Sequence, residues 1–151
     1  KRSYGVSTLE AMARGAAITD GVFCCCMDAR RAQVYNAVFE KTGSELVRLR
    51  EDRAISLDDL CEDLQNIEKP IFLVGDGAAM CYTNLEGQVP ELLLAPVPLR
   101  FQRAAGVAAC AAGQALRGEL CAAEALQPAY LRLPQAQREL RQRQAAESQP
   151  T

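Results

Sequence analysis

From Ser7 to Ala17 the apolar residues Leu9, Met12, Ala13, Ala16 and Ala17 return at helical spacing, and Ser7 and Glu10, three apart, make a capping box at the start. This predicts the first helix. Gly21 then opens Val22-Phe23-Cys24-Cys25-Cys26-Met27, an unbroken apolar run of strand length that ends at Asp28. A strand that is apolar on both sides belongs in the middle of a sheet covered by helices on both faces. Gln33 to Glu40 puts Tyr35, Ala37 and Phe39 on one strand face, and Lys41-Thr42-Gly43-Ser44 is a turn leading into Leu46-Val47-Arg48-Leu49. The three strands form an antiparallel meander. Val22 to Met27 is central in the sheet, and Glu45 to Leu49, with Arg48 and then Arg50, is an edge.

Ser56 caps a second helix, in which Leu57, Leu60, Cys61, Leu64 and Ile67 follow a 3.6-residue period and Asp58, Asp59, Glu62 and Asp63 form the wet face. After Pro70, Ile71-Phe72-Leu73-Val74 reads as a short buried strand that runs into Gly75-Asp76-Gly77-Ala78 and a brief helix to about Leu85. Leu92 to Leu94 is the last strand. Pro96 and Pro98 separate it from an alanine-rich helix, Phe101 to Arg117, on which Gly106 and Gly113 stand seven apart on one face. Each glycine costs about 1 kcal/mol against alanine, so the pair marks a face where another backbone approaches, in the same protein or in a second copy. Pro128-Ala129-Tyr130-Leu131-Arg132 reads as extended. Residues 134–151 have almost no apolar periodicity and form a frayed or disordered tail behind a folded unit over residues 1–133. Strands that alternate with helices after a meander give an α/β fold, a mixed sheet flanked by helices.

The chain of 151 residues is one ordinary domain, able to bury roughly 70% of the surface its unfolded form exposes. Lysine and arginine total 17 against 19 acids, a net charge of -2, so no global field draws it to nucleic acid. Arg138, Arg141 and Arg143 in the tail are diluted by Glu139 and Glu147, and any RNA contact is local. Histidine is absent, which excludes a serine-histidine triad, a histidine base and histidine metal ligands. No run approaches the ~18 apolar residues of a membrane-spanning helix. Seven cysteines, an odd number lying in apolar runs without a signal peptide, read as thiols of a cytoplasmic protein. Lys1-Arg2-Ser3-Tyr4 lacks an initiator methionine and enters helical pattern almost at once, as in a piece of a longer protein.

Three places invite chemistry. Gly75-Asp76-Gly77, between a strand and a helix, is either a relic nucleotide loop or a tight turn, and it lacks the lysine and Ser/Thr of a P-loop. Asp28-Ala29-Arg30-Arg31 ends a strand, where an acid could hold a metal or Arg30 and Arg31 could grip phosphate; a hairpin turn in which Asp28 caps backbone donors is the commoner arrangement. Cys24 and Cys26 share a strand face at roughly 7 Å, too far for a disulfide and two ligands short of a structural metal site, so they read as small core hydrophobes. No catalytic residue and no metal ligand set is assigned.

Gly5-Val6-Ser7-Thr8-Leu9-Glu10-Ala11, Asp28-Ala29-Arg30-Arg31 followed by Val34-Tyr35, Gly75-Asp76-Gly77-Ala78 and Pro128-Ala129-Tyr130-Leu131-Arg132 stand in an order and spacing that resembles the bacterial TsaB family, also called YeaZ, over its carboxy-terminal half. Gln135 to Leu140 continues the likeness. The resemblance implies an RNase H-like subdomain of the actin, Hsp70 and sugar kinase superfamily, with a five-stranded sheet in the order 3-2-1-4-5 and the first helix leading to an amino-terminal twin that this sequence lacks. It further implies a non-catalytic companion of the paralogue TsaD, which with the ATPase TsaE places a threonylcarbamoyl group on the tRNA adenosine beside the anticodon. ATP and threonylcarbamoyl-AMP then belong to the wider complex, no cofactor to this chain, and tRNA is met only through the complex. The family's surface for TsaD lies largely on the missing half. Two other classes compete: a self-sufficient ATPase, kinase or peptidase of the same superfamily, and a local RNA-binding module.

Overall fold

The structure, a computed structural model, describes residues 2–119 and 121–131. Its elements in order are β1 (Arg2–Ser3), α1 (Thr8–Ala16), β2 (Gly21–Asp28), β3 (Gln33–Thr42), β4 (Glu45–Ser56), α2 (Leu57–Leu64), β5 (Ile71–Val74), α3 (Ala78–Leu85), β6 (Leu92–Leu94), α4 (Val97–Arg100), α5 (Ala104–Leu116) and β7 (Cys121–Ala122), then a 3-10 turn at Ala123–Ala125. The main sheet runs β4-β3-β2-β5-β6. Counting its five strands along the chain, this is the expected order 3-2-1-4-5, with β2 central. β3 pairs antiparallel to β2 and β4 to β3, while β5 and β6 continue the other side in parallel.

The apolar run of β2 builds both cores at once, because alternate residues point to opposite faces. Val22, Cys24 and Cys26 pack with Leu60 and Leu64 of α2 and with Cys81 of α3. Phe23 and Cys25 pack with Leu9, Met12 and Ala13 of α1, and Phe23 stacks on Phe72 at 5.2 Å between centroids. Cys25 is fully buried, as a central strand requires. α5 lies against α1, and a Cβ on Gly106 would come within 2.9 Å of the Ala11 carbonyl carbon and closer to its oxygen. The backbone that Gly106 admits is therefore that of α1 in the same chain. Around Gly113 such a Cβ would meet only the Arg117 guanidinium, at 3.3 Å.

Four features depart from the sequence reading. β4 is 12 residues long and continues through Glu51-Asp52-Arg53, because its charged side chains find partners on both sides of the sheet. Between Asn36 and Val38, and again between Val38 and Phe39, β4 carries one residue more than β3 opposite it. Such bulges reset the inside-outside alternation. Val97–Arg100 forms a short helix rather than a plain proline linker, since Pro98 in its first turn needs no N–H bond there. β1 pairs antiparallel with β7 in a separate two-stranded ribbon, too short to leave any periodicity. Residues 132–151, with the tail arginines, lie outside the described residues. No described helix is long and apolar enough to cross a membrane.

Asp63 is the exception on the wet face of α2. Its carboxylate receives hydrogen bonds from Arg50 Nε at 3.0 Å and from Arg53 of β4, and Arg53 Nε also reaches Asn36 Oδ1 at 3.1 Å. Asn36 is the fully buried polar residue of the described core, and its Nδ2 donates to the Cys25 carbonyl at 3.0 Å. Burial pushes the Asp63 carboxyl up, but hydrogen bonds from Arg50 and Arg53 outweigh it and hold the pKa below the usual value. A depressed carboxylate contributes stability above the unfolded pKa of about 4 and loses it as pH falls through the lower folded value. Urea unfolding measured across pH should accordingly show Asp63→Asn costing about 1 kcal/mol at pH 7 and clearly less at pH 2.5. An equal cost at both values would remove the ion pair from the account.

Candidate functional site

The carboxy-terminal ends of parallel β2 and β5 lie side by side, where open α/β sheets commonly form crevices. Two of the sequence's candidate loops meet there. Gly75 takes φ +109, and a Cβ on it would overlap the Cys26 carbonyl; a Cβ on Gly77 would lie 3.1 Å from Asp28 N. Gly75 N–H donates to Arg100 O at 2.7 Å and Gly77 N–H to Cys26 O at 3.1 Å. Both glycine amides are thus engaged within the protein, so they are not presented to a phosphate, and the two glycines let β5 turn tightly against β2. Asp76 between them is exposed.

Asp28 Oδ1 accepts from Arg30 N at 2.7 Å, the backbone cap of a turn, and Arg30 NH1 comes within 3.7 Å of Oδ2. Arg30, Arg31 and Ala32 all take positive φ, between 53° and 64°. Three left-handed non-glycine residues in a row are strained, roughly 1 kcal/mol or more each. Both arginine side chains point to solvent, and Ala32 O accepts from Leu57 N at 3.2 Å, which ties the loop to the start of α2.

Six of the seven thiols are buried, and Cys121 is half-buried. Cys24 and Cys26 share a face as alternation demands, but their sulfurs are 3.5 Å apart, closer than the backbone spacing of roughly 7 Å, because both turn toward Asn36 Nδ2. All seven cysteines are free. Burial, then the Cys24 neighbour, pushes the Cys25 thiol well up; hydrogen bonds with Cys24 and Cys81, then burial, do the same for Cys26. Thiols so far from ionising are poor nucleophiles and poor metal ligands. Among the described residues no three metal-binding side chains converge.

A cleft of about 670 Å³ opens where α1 begins. Its walls come from segments far apart in the chain: Gly5 to Leu9, Met27 at the end of β2, Tyr35 of β3, Asp52 of β4 and the extended stretch Gln127 to Leu131. Three of the four strings that carry the family resemblance meet here. Ser7 caps α1, accepting from Glu10 N at 3.2 Å, and donates its own proton to Asp52 Oδ2 at 2.6 Å. Only this half of the expected capping box is seen, since the Glu10 carboxylate turns to Arg14 and Arg48. Arg48 lies over the Phe39 ring at 4.6 Å and bonds both Asp52 and Glu10. Sequence reading missed Asp52 and Arg48, because the bulges in β4 decide that these two face α1 while Arg50 and Arg53 face α2.

No family model matches the chain, and no curated protein matches it by sequence at a significant level. Solved structures share the fold. A protein from Pseudomonas aeruginosa, described as uncharacterized with similarity to peptidase YEAZ, superposes with a TM-score of 0.61 at 22% identity over 84% of this chain and 57% of its own. YeaZ from Pseudomonas aeruginosa gives 0.59 at 22% identity, over 83% of this chain and 57% of its own. The chain spans little more than half the length of these structures, and its mixed five-stranded α/β architecture is the one they contain.

Proposed function

We propose that the chain is a TsaB-like, non-catalytic subunit that supports a TsaD homologue, with a TsaE homologue, in threonylcarbamoyl transfer to the tRNA adenosine beside the anticodon. One observation carries the reading. The strings Gly5 to Leu9, Tyr35 and Pro128 to Leu131, which make the resemblance, assemble into one cleft on a fold shared with YeaZ structures. A role by association is further supported by the engaged amides of the Gly75 turn, the internal thiols and the absence of histidine from the sequence.

The rival is an enzyme, whether an ATPase, a kinase or the peptidase named for one structural neighbour. A reconstituted transfer reaction separates them. The purified chain alone should hydrolyse no ATP and cleave no peptide. It should bind the TsaD homologue more weakly than a two-lobed TsaB does, since the family's contact surface lies mostly on the other half. Turnover by the chain alone that survives stringent purification and disappears in Asp76→Ala would replace this reading with the enzyme.

A further inference from the structure

The cleft at the start of α1 offers hydrogen-bonding groups that nothing in the protein uses. Among the described residues, the hydroxyls of Thr8, Tyr35 and Tyr130 and the amide of Gln127 have no protein partner, and they come from three separate segments. Tyr130 stands at the rim with 85% of its surface exposed, so its ring has an open face. Val6, Leu9 and Met27 supply apolar lining.

Charge narrows the ligand. Asp52 is the one charged side chain lining the cleft among the described residues, and Ser7 and Arg48 hold its two oxygens. Behind it, Arg14 and Arg48 balance Glu10 and Asp52. No lysine or arginine among the described residues lines the cleft, so a phosphate placed there would face a carboxylate with no cation on the wall. A neutral molecule meets no such penalty. Its ring could stack on a tyrosine and its hydroxyls could use the free polar groups and the remaining lone pairs of Asp52. The volume is that of a small-molecule site.

We infer that this cleft binds an uncharged, ring-bearing, hydroxylated small molecule, a nucleoside taken without its phosphate. The inference does not rest on the association reading, and each can fail alone.

The chain carries three methionines, which makes a site-specific test possible. Met27 lines the cleft, Met12 is on the buried face of α1, and Met80 lies on α3 directly after the Gly75 turn. With methyl-labelled methionine, titration with adenosine or uridine should shift the Met27 resonance saturably and leave Met80 in place. AMP should bind at least tenfold more weakly. Tyr130→Ala, which removes an exposed side chain and leaves both cores intact, should weaken nucleoside binding about tenfold. Three results would overturn the inference: AMP binding as tightly as adenosine, a saturable shift of Met80 instead of Met27, or no shift with either nucleoside at millimolar concentration.

Discussion

Replacing Gly75 by alanine is expected to cost about 4 kcal/mol, a large share of the ~5–15 kcal/mol that holds a domain together. Gly75 has φ +109, a conformation that L side chains rarely adopt, and an added Cβ would fall within 2.9 Å of the Cys26 carbonyl carbon and overlap its oxygen. Neither neighbour can give way. Cys26 belongs to the central strand, and Gly75 N–H is tied to Arg100 O. β5 would have to leave β2, and with it Leu73 and Val74 would leave the two cores. Urea unfolding followed by circular dichroism measures the loss. Asp76→Ala, one residue on and exposed, should change the unfolding free energy by less than ~0.5 kcal/mol. Equal effects at the two positions would mean that the turn is not held as described.

Gly106→Leu is the second large effect, at about 3 kcal/mol. Leucine is the better helix former by nearly 1 kcal/mol, so on an isolated helix the change would stabilise. Here the side chain is driven into the Ala11 backbone of α1. Overpacking against backbone forces the helices apart, and with α5 displaced, the fully buried Ala11 on α1 loses its cover. Hydrogen exchange should show the amides of α1 and α5 losing protection together. Gly113→Leu, whose Cβ meets only the movable Arg117 side chain, should be neutral or slightly stabilising. This pairing also bears on self-association. A dimer lost in Gly106→Leu would reflect the displaced helix, whereas Gly113→Leu tests the outward part of that face with the fold intact.

The sequence by itself determined the order of the five main strands and of α1, α2, α3 and α5 around them, because its signals are local. An apolar run between Gly21 and Asp28 can satisfy itself only in the middle of a sheet, and Ser7 and Ser56 stop the chain at the start of α1 and α2 with the side-chain caps that are seen. The glycines of the 75–77 turn were legible as a tight junction for the same reason. What only the tertiary structure decided are contacts between residues distant in the chain. Gly106 announced a close approach, but its spacing could not say that the other backbone was α1. The two bulges of β4 left no mark on its sequence, yet they send Arg48 and Asp52 to one face and Arg50 and Arg53 to the other. Asp63 carried the pattern of a solvated acid until β4 placed two arginines against it. The cleft is the extreme case. Each wall is a short segment with its own local meaning, and no periodicity joins Ser7, Tyr35, Asp52 and Tyr130, so the site exists only once the chain has folded and residues more than a hundred positions apart face a common space.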